Sequence, residues 1–119
     1  MRECVYRGYP GGAVEYVTRG RTRPLAARLD IMNASPTGFS WGYGGSGPSQ
    51  LALAILSHHF GRGRAADGRA LDLHQAFKWG VIAKLDYGQA WQLTSAQVQE
   101  AMEEIGREDV ALQGQEGVT

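Results

Sequence analysis

Gly42, Gly44 and Gly47 stand at the spacing G-x-G-x-x-G, and "GYGGSGPS" at 42–49 lies one residue from G-x-x-x-x-G-K-[ST]. Both patterns bind phosphate groups through backbone N–H groups gathered at a helix start. Neither has its full context here. The strand-like stretch before the loop is only Phe39-Ser40-Trp41, too short for a βαβ unit. Asp67 follows Gly47 by 20 residues, but it lies in an Arg- and Gly-rich segment rather than on a second parallel strand. Pro48 stands where the second pattern needs a lysine for the outer phosphates. What remains is more general: bare amides, a proline that fixes helix entry, and the positive end of a helix. These suit a phosphate, a carboxylate or an acidic side chain. The expected ligand-binding set is Trp41, Tyr43, Gly44, Gly45, Ser46, Gly47, Ser49 and Gln50, with the rings of Trp41 and Tyr43 as faces for a base or sugar. The same residues also read as a tight turn whose aromatic rings plug the core. Composition does not choose between the two.

Other chemistry is thinner. Gly44-Gly45-Ser46-Gly47-Pro48 resembles a nucleophile elbow but has proline at the second glycine. His58 and His59 are adjacent, so on a helix they point about 100° apart and do not share one ion. His74 lies on a separate stripe, and no His or Cys spacing marks a metal site. No catalytic residues, no metal and no cofactor are assigned. A single Cys4 excludes an internal disulfide and reads as a small apolar residue in a strand.

The charges total 12 basic and 12 acidic residues, so the formal net charge is zero. That balance argues against a dedicated nucleic-acid binder and leaves self-association unopposed. The arginines nevertheless cluster, at Arg19, Arg21, Arg23 and Arg28 and again at Arg62, Arg64 and Arg69. Carboxylates concentrate late, at Glu100, Glu103, Glu104, Glu108 and Asp109. Opposite patches of this kind steer anions or protein partners. Arg21, Arg23 and Glu103 are the candidate partner-binding residues. No basic leader opens the chain and no run approaches the ~20 apolar residues that span a bilayer, so a cytoplasmic location without membrane contact is expected.

The elements that must position these residues follow from pattern. "ECVYRGY" at 3–9 and "AVEYVT" at 13–18, around Pro10-Gly11-Gly12, predict a β-hairpin. "RGRTRP" reads as a polar turn; 25–31 fits one or two helical turns through Leu25, Leu29 and the Ala pair, or a third strand, which the sheet needs and which is the reading taken. Phe39–Trp41 is expected to pair with the sheet. A buried helix is expected over 48–59, with Gly47 as N-cap, Pro48 at the first helical position and Gln50 reaching back from the third. The stretch 61–70 reads as a connector. Leu71, His74, Phe77, Val81, Ile82 and Leu85 form one helical stripe, and "AWQL" reads as a short strand or an extended link. Thr94 and Gln97 spell a capping box, with Leu93 and Val98 as its hydrophobic staple, for a helix to about Ile105. The fold class is α+β: a small antiparallel sheet of about three strands packed on about three helices, in two layers. Residues 1–106 form one domain, and 107–119 a frayed tail.

"SPTGFSWGYGGSGPSQLALAIL", with "AFKWGVIAKL" and "WQLTSAQV", resembles an uncharacterised bacterial and phage family, the domain of unknown function numbered 6166. The likeness runs from about Tyr6 to Ile105. It implies a shared signature over Ser35–Leu56 and a setting in phages, plasmids and their hosts. It brings no catalytic residues.

Three functions follow as expectations. One is non-enzymatic binding of an anionic small molecule, nucleotide or phosphate-like, at the glycine loop. A second is a protein-interaction factor that inhibits a host or defence protein through the Arg patches and the acidic last helix. The third is a small hydrolase using His58 or His59, for which no complete acid–base set is present.

Overall fold

A computed structural model describes residues 3–116, and of residues 109–116 the backbone only. The hairpin forms as its sequence predicts, from β1 (Cys4–Gly8) and β2 (Val14–Thr18). Cys4 is buried in β1. The third strand, β3, is Arg21–Pro24, and 25–31 is irregular. The reason is the turn: Arg19 and Gly20 both take positive φ, 53° and 74°. Two such residues form a tight hairpin turn that sends the chain straight back along β2. Trp91–Thr94 forms β4 on the other side of β1. The sheet is fully antiparallel, in the order β3-β2-β1-β4. Phe39–Trp41 does not join it.

Helix α1 spans Ser46–His59, with Gly45 as N-cap. It starts two residues earlier than the proline suggests. Pro48 thus sits third in the helix, still within the turn whose N–H groups need no intrahelical acceptor. Every residue from Gly47 to Ser57 is buried, as the unbroken run Leu51–Leu56 requires. Helix α2 spans Arg64–Gly80, so the segment read as a connector is its first two turns. Asp67 in the first turn complements the helix dipole there. A 3-10 turn follows at Ile82–Lys84.

Helix α3 spans Ser95–Glu116 and runs past Gly106, where periodicity ends in the sequence; residues 117–119 of the expected tail lie outside the described residues. Its capping box is formed: Thr94 Oγ1 accepts from the Gln97 N–H at 3.1 Å, and Gln97 Oε1 accepts from the Thr94 N–H at 2.8 Å. Three helices therefore pack on a four-stranded sheet in two layers. The core is built from Tyr6, Leu51, Leu53, Ile55, Leu56, Phe77, Ile82 and Val98. No helix among the described residues is long and apolar enough to cross a membrane.

Candidate functional site: an arginine-rimmed cleft

The glycine loop is used by the fold. A Cβ on Gly44 would lie 2.0 Å from the Trp79 ring, and one on Gly45 would lie 2.4 Å from the Tyr43 ring. Gly42, at φ 87°, passes 2.6 Å from the Tyr87 Cα by the same measure and donates its N–H to the Ile82 carbonyl. The glycines are bare because aromatic side chains and a neighbouring backbone lie on them. Trp41 is buried and donates its indole N–H to the Gln89 carbonyl at 2.9 Å. Tyr43 is exposed, edge-on to Tyr87. Gly47 is buried against Ser40. Ser49 turns its hydroxyl back to the Gly45 carbonyl at 3.1 Å. Ser46 alone of the polar candidates is exposed.

Gln50 departs most from expectation. It is fully buried and does not reach back to the helix start. Its Oε1 accepts from the Ala34 and Ser35 N–H groups at 2.9 and 3.2 Å, and its Nε2 donates to the Ala27 and Met32 carbonyls at 2.7 and 2.8 Å. All four hydrogen bonds that an amide side chain makes are satisfied. Gln50 therefore fastens the irregular 27–35 segment to α1. The eight loop candidates thus do not converge on one open site.

The cleft that does open lies at the other end of α1. Strand register builds one wall. Tyr6, Tyr16 and Arg23 are successive cross-strand partners, as are Cys4, Thr18 and Arg21. Partners across a ladder share a face, so these six side chains project to one side of the sheet. That face runs from buried Cys4 and Tyr6 to exposed Arg21 and Arg23 on the edge strand. The C-terminal end of α1 builds the facing wall with His58, His59, Gly61 and Arg62, and Arg19 and Ser95 complete the lining. The cleft is open to solvent along one side and has a volume of about 890 Å³, within the range typical of small-molecule sites.

Four arginines, Arg19, Arg21, Arg23 and Arg62, line this cleft, and among the described residues no carboxylate does. Among the described residues the arginine ion pairs are made by Arg28 and Arg107. Arg28 is structural: it pairs with Asp67 at 2.9 Å and Asp30 at 3.0 Å, and donates to Ser57 at 2.8 Å. The cleft arginines have no such partner. Two of them also occupy costly backbone. Arg19 and Arg62 lie at φ 53° and 59°, in the left-handed region. An L-residue with a Cβ is disfavoured there by roughly 1–2 kcal/mol, and such strain concentrates at functional positions.

Deeper in the cleft lie Tyr6, Tyr16, His58 and Cys4. Tyr6 Oη and His58 Nδ1 are 2.8 Å apart. The Tyr16 ring packs on His58 with centroids 4.0 Å apart. Burial, then the positive charges of Arg62 and His59, push the His58 imidazole down to about 4, so it is neutral at pH 7. Burial likewise raises the Tyr6 hydroxyl and the Cys4 thiol, which stay protonated. His59 Nε2 is 2.9 Å from Gln99 Oε1. His74 faces the Leu71 carbonyl at 2.6 Å. Among the described residues no three His, Cys, Asp or Glu side chains gather as metal ligands.

Of the partner-binding candidates, Arg21 and Arg23 meet in the cleft, whereas Glu103 is exposed on α3 and does not line it. Sequence reasoning had the arginine clusters but not their meeting. The available signal was Arg19-Gly20-Arg21 and Gly61-Arg62-Gly63: arginines set inside turns that favour glycine.

The molecule is thus a small α+β domain with an arginine-rimmed cleft between its sheet and the end of α1. The chain belongs to DUF6166, a family of unknown function, whose model matches residues 6–104. Comparison with curated proteins and with solved structures returns no match.

Proposed function

We propose that the domain is a binding module for an anionic, phosphate-like small molecule, held in the cleft rather than at the glycine loop. The observation that carries this is the convergence of Arg19, Arg21, Arg23 and Arg62 on one concave space without a carboxylate. The planar forks of guanidinium groups match phosphate oxygens in pairs, so arginines lining one cleft suit a ligand of that class. The loop supports the reading less, because Trp79, Tyr43 and Ser40 already pack on its glycines. Tyr6 and Cys4 lie in the cleft beside His58, but burial keeps both protonated rather than activated as nucleophiles, so binding without turnover is the function proposed.

Thermal shift against phosphate-bearing compounds tests it. A compound at 100 times its Kd stabilises by about 2.7 kcal/mol. Arg23→Gln should remove most of that gain without changing the fold. No shift with any phosphate compound, or a shift that Arg23→Gln leaves intact, refutes the proposal.

A protein-interaction role has a separate observation in its favour. Tyr43, Trp79 and Tyr87 are 44%, 58% and 72% exposed, and they adjoin one another across the glycine loop. Aromatic residues of this kind anchor protein interfaces. An inhibitor of a host or defence protein would use this face, and Trp79→Ala would abolish inhibition while sparing anion binding.

A further inference from the structure

The cleft separates its chemistry by depth. Its charged groups come from the tight turn, the edge strand and the residues after α1: Arg19, Arg21, Arg23 and Arg62. Its inner wall holds the Tyr16–His58 ring pair, and the hydrogen bond between Tyr6 Oη and His58 Nδ1 fixes the imidazole. A lone phosphate or sulfate would occupy a small part of about 890 Å³. Several guanidinium groups call for several anionic oxygens, and the ring wall calls for a flat, uncharged body with hydrogen-bonding edges. We infer that the cleft takes a nucleoside polyphosphate, with its phosphates at the arginine rim and its base against Tyr16 and His58. This inference rests on the cleft reading of the previous subsection and adds the ring to it.

The geometry favours a base over an aliphatic chain for two reasons. Aromatic walls stack on any base, and such stacking is sequence-tolerant. A neutral imidazole and a phenol also offer donor and acceptor edges to a flat heterocycle without demanding a charge from it. No carboxylate among the described residues lines the cleft, so the ribose hydroxyls lack there the acidic acceptor of dinucleotide folds. Recognition is then carried by phosphate and base.

Isothermal titration with four probes decides it: ATP, GTP, inorganic tripolyphosphate and a five-nucleotide single-stranded RNA. ATP or GTP should bind roughly 10-fold or more tighter than tripolyphosphate, the fold-change that one stacked base supplies. Tyr16→Leu should bring the nucleotide down to the level of tripolyphosphate and leave tripolyphosphate unchanged. Because Tyr16 also packs on His58, a second readout on the unaltered protein guards against misfolding. The His58 ring protons should show ring-current shifts with the nucleotide and none with tripolyphosphate.

Equal affinity for nucleotide and tripolyphosphate, both lost in Arg23→Gln, overturns the inference and keeps the anion site. Binding of the RNA without ATP or GTP reassigns the cleft to nucleic acid and overturns it. Binding that ignores Arg23→Gln, or no binding at all, overturns the cleft reading itself.

Discussion

Replacing Arg19 by asparagine should make the domain more stable and a worse binder. The turn Thr18-Arg19-Gly20-Arg21 joins β2 to β3 with φ 53° and 74° at its two central residues. Asn-Gly is the pair that such turns favour, because asparagine tolerates the left-handed region that other side chains avoid. Arginine there forfeits roughly 1 kcal/mol, of which Arg19→Asn should recover at least half. With an unfolding entropy of about 2.1 cal/mol/K per residue, 119 residues give about 0.25 kcal/mol/K. The expected rise in Tm is therefore about 2–4 °C. The same change deletes one guanidinium from the cleft. A charge-assisted hydrogen bond contributes about 1.5–3 kcal/mol, so affinity for a phosphate ligand should fall about 10- to 100-fold. Thermal unfolding and titration with the phosphate compound, on one preparation, measure both. A lower Tm would show that the arginine is not strained as argued. A higher Tm with undiminished binding would show that the strain serves something other than the cleft.

Gln50→Leu should cost about 3–5 kcal/mol and lower Tm by more than 10 °C, because it strips partners from backbone groups of Ala27, Met32, Ala34 and Ser35; urea denaturation reads it. Gly42→Ala should destabilise by about 2–3 kcal/mol, since a Cβ there meets the Tyr87 backbone at φ 87°, whereas Gly68→Ala, with open space on helix α2, should stabilise by about 0.5–1 kcal/mol. Thermal melts of the pair test whether the glycines of the loop and the helix differ as described. The pH dependence should have two stages. His58 is held at about 4 in the folded domain against an ordinary 6.5, so its contribution is full above pH 6.5 and is lost as pH falls toward 4. Arg28 holds the Asp30 and Asp67 carboxyls below their ordinary 3.8, so their contribution survives that first stage and is lost only at lower pH. A Tm profile from pH 8 to 2 should show both declines, and Asp67→Asn should flatten only the second.

What could be read in the sequence was local. The hairpin of Cys4–Gly8 and Val14–Thr18 and the capping box of Thr94 and Gln97 are short-range agreements between neighbours, and both form. Strand β3 escaped because Arg21, Thr22, Arg23 and Pro24 are all exposed, so an edge strand of this kind carries no alternation. Helix α2 escaped at its start because Gly63, Gly68 and the charges around them mimic a linker. The cleft was illegible for a different reason. Its rim joins Arg23, fixed by pairing with Tyr16, to Arg62, fixed by the left-handed exit from α1. No spacing along the chain predicts that meeting, because it depends on register and on how one helix end packs on one sheet face. The glycine loop shows a limit of the opposite kind: its composition suits an anion, but its neighbours Trp79 and Tyr87 lie too far along the chain to be paired with it by pattern.

A chain with no net charge has no global need to gather four arginines in one concavity. All four are exposed to solvent, yet Arg19 and Arg62 carry a conformational cost. Arg28 shows how the same fold treats an arginine that serves structure: it too lies at positive φ, 58°, but Asp30, Asp67 and Ser57 surround it. The contrast separates two uses of one residue type. Where strain is met by partners within the chain, the arginine is a clasp between a loop and two helices. Where strain comes without a partner and faces an open volume, the proposed anion site supplies a use for it: a bound anion would offset a cost that the free domain carries. That difference in energy between the empty and the filled cleft is the quantity a binding module needs.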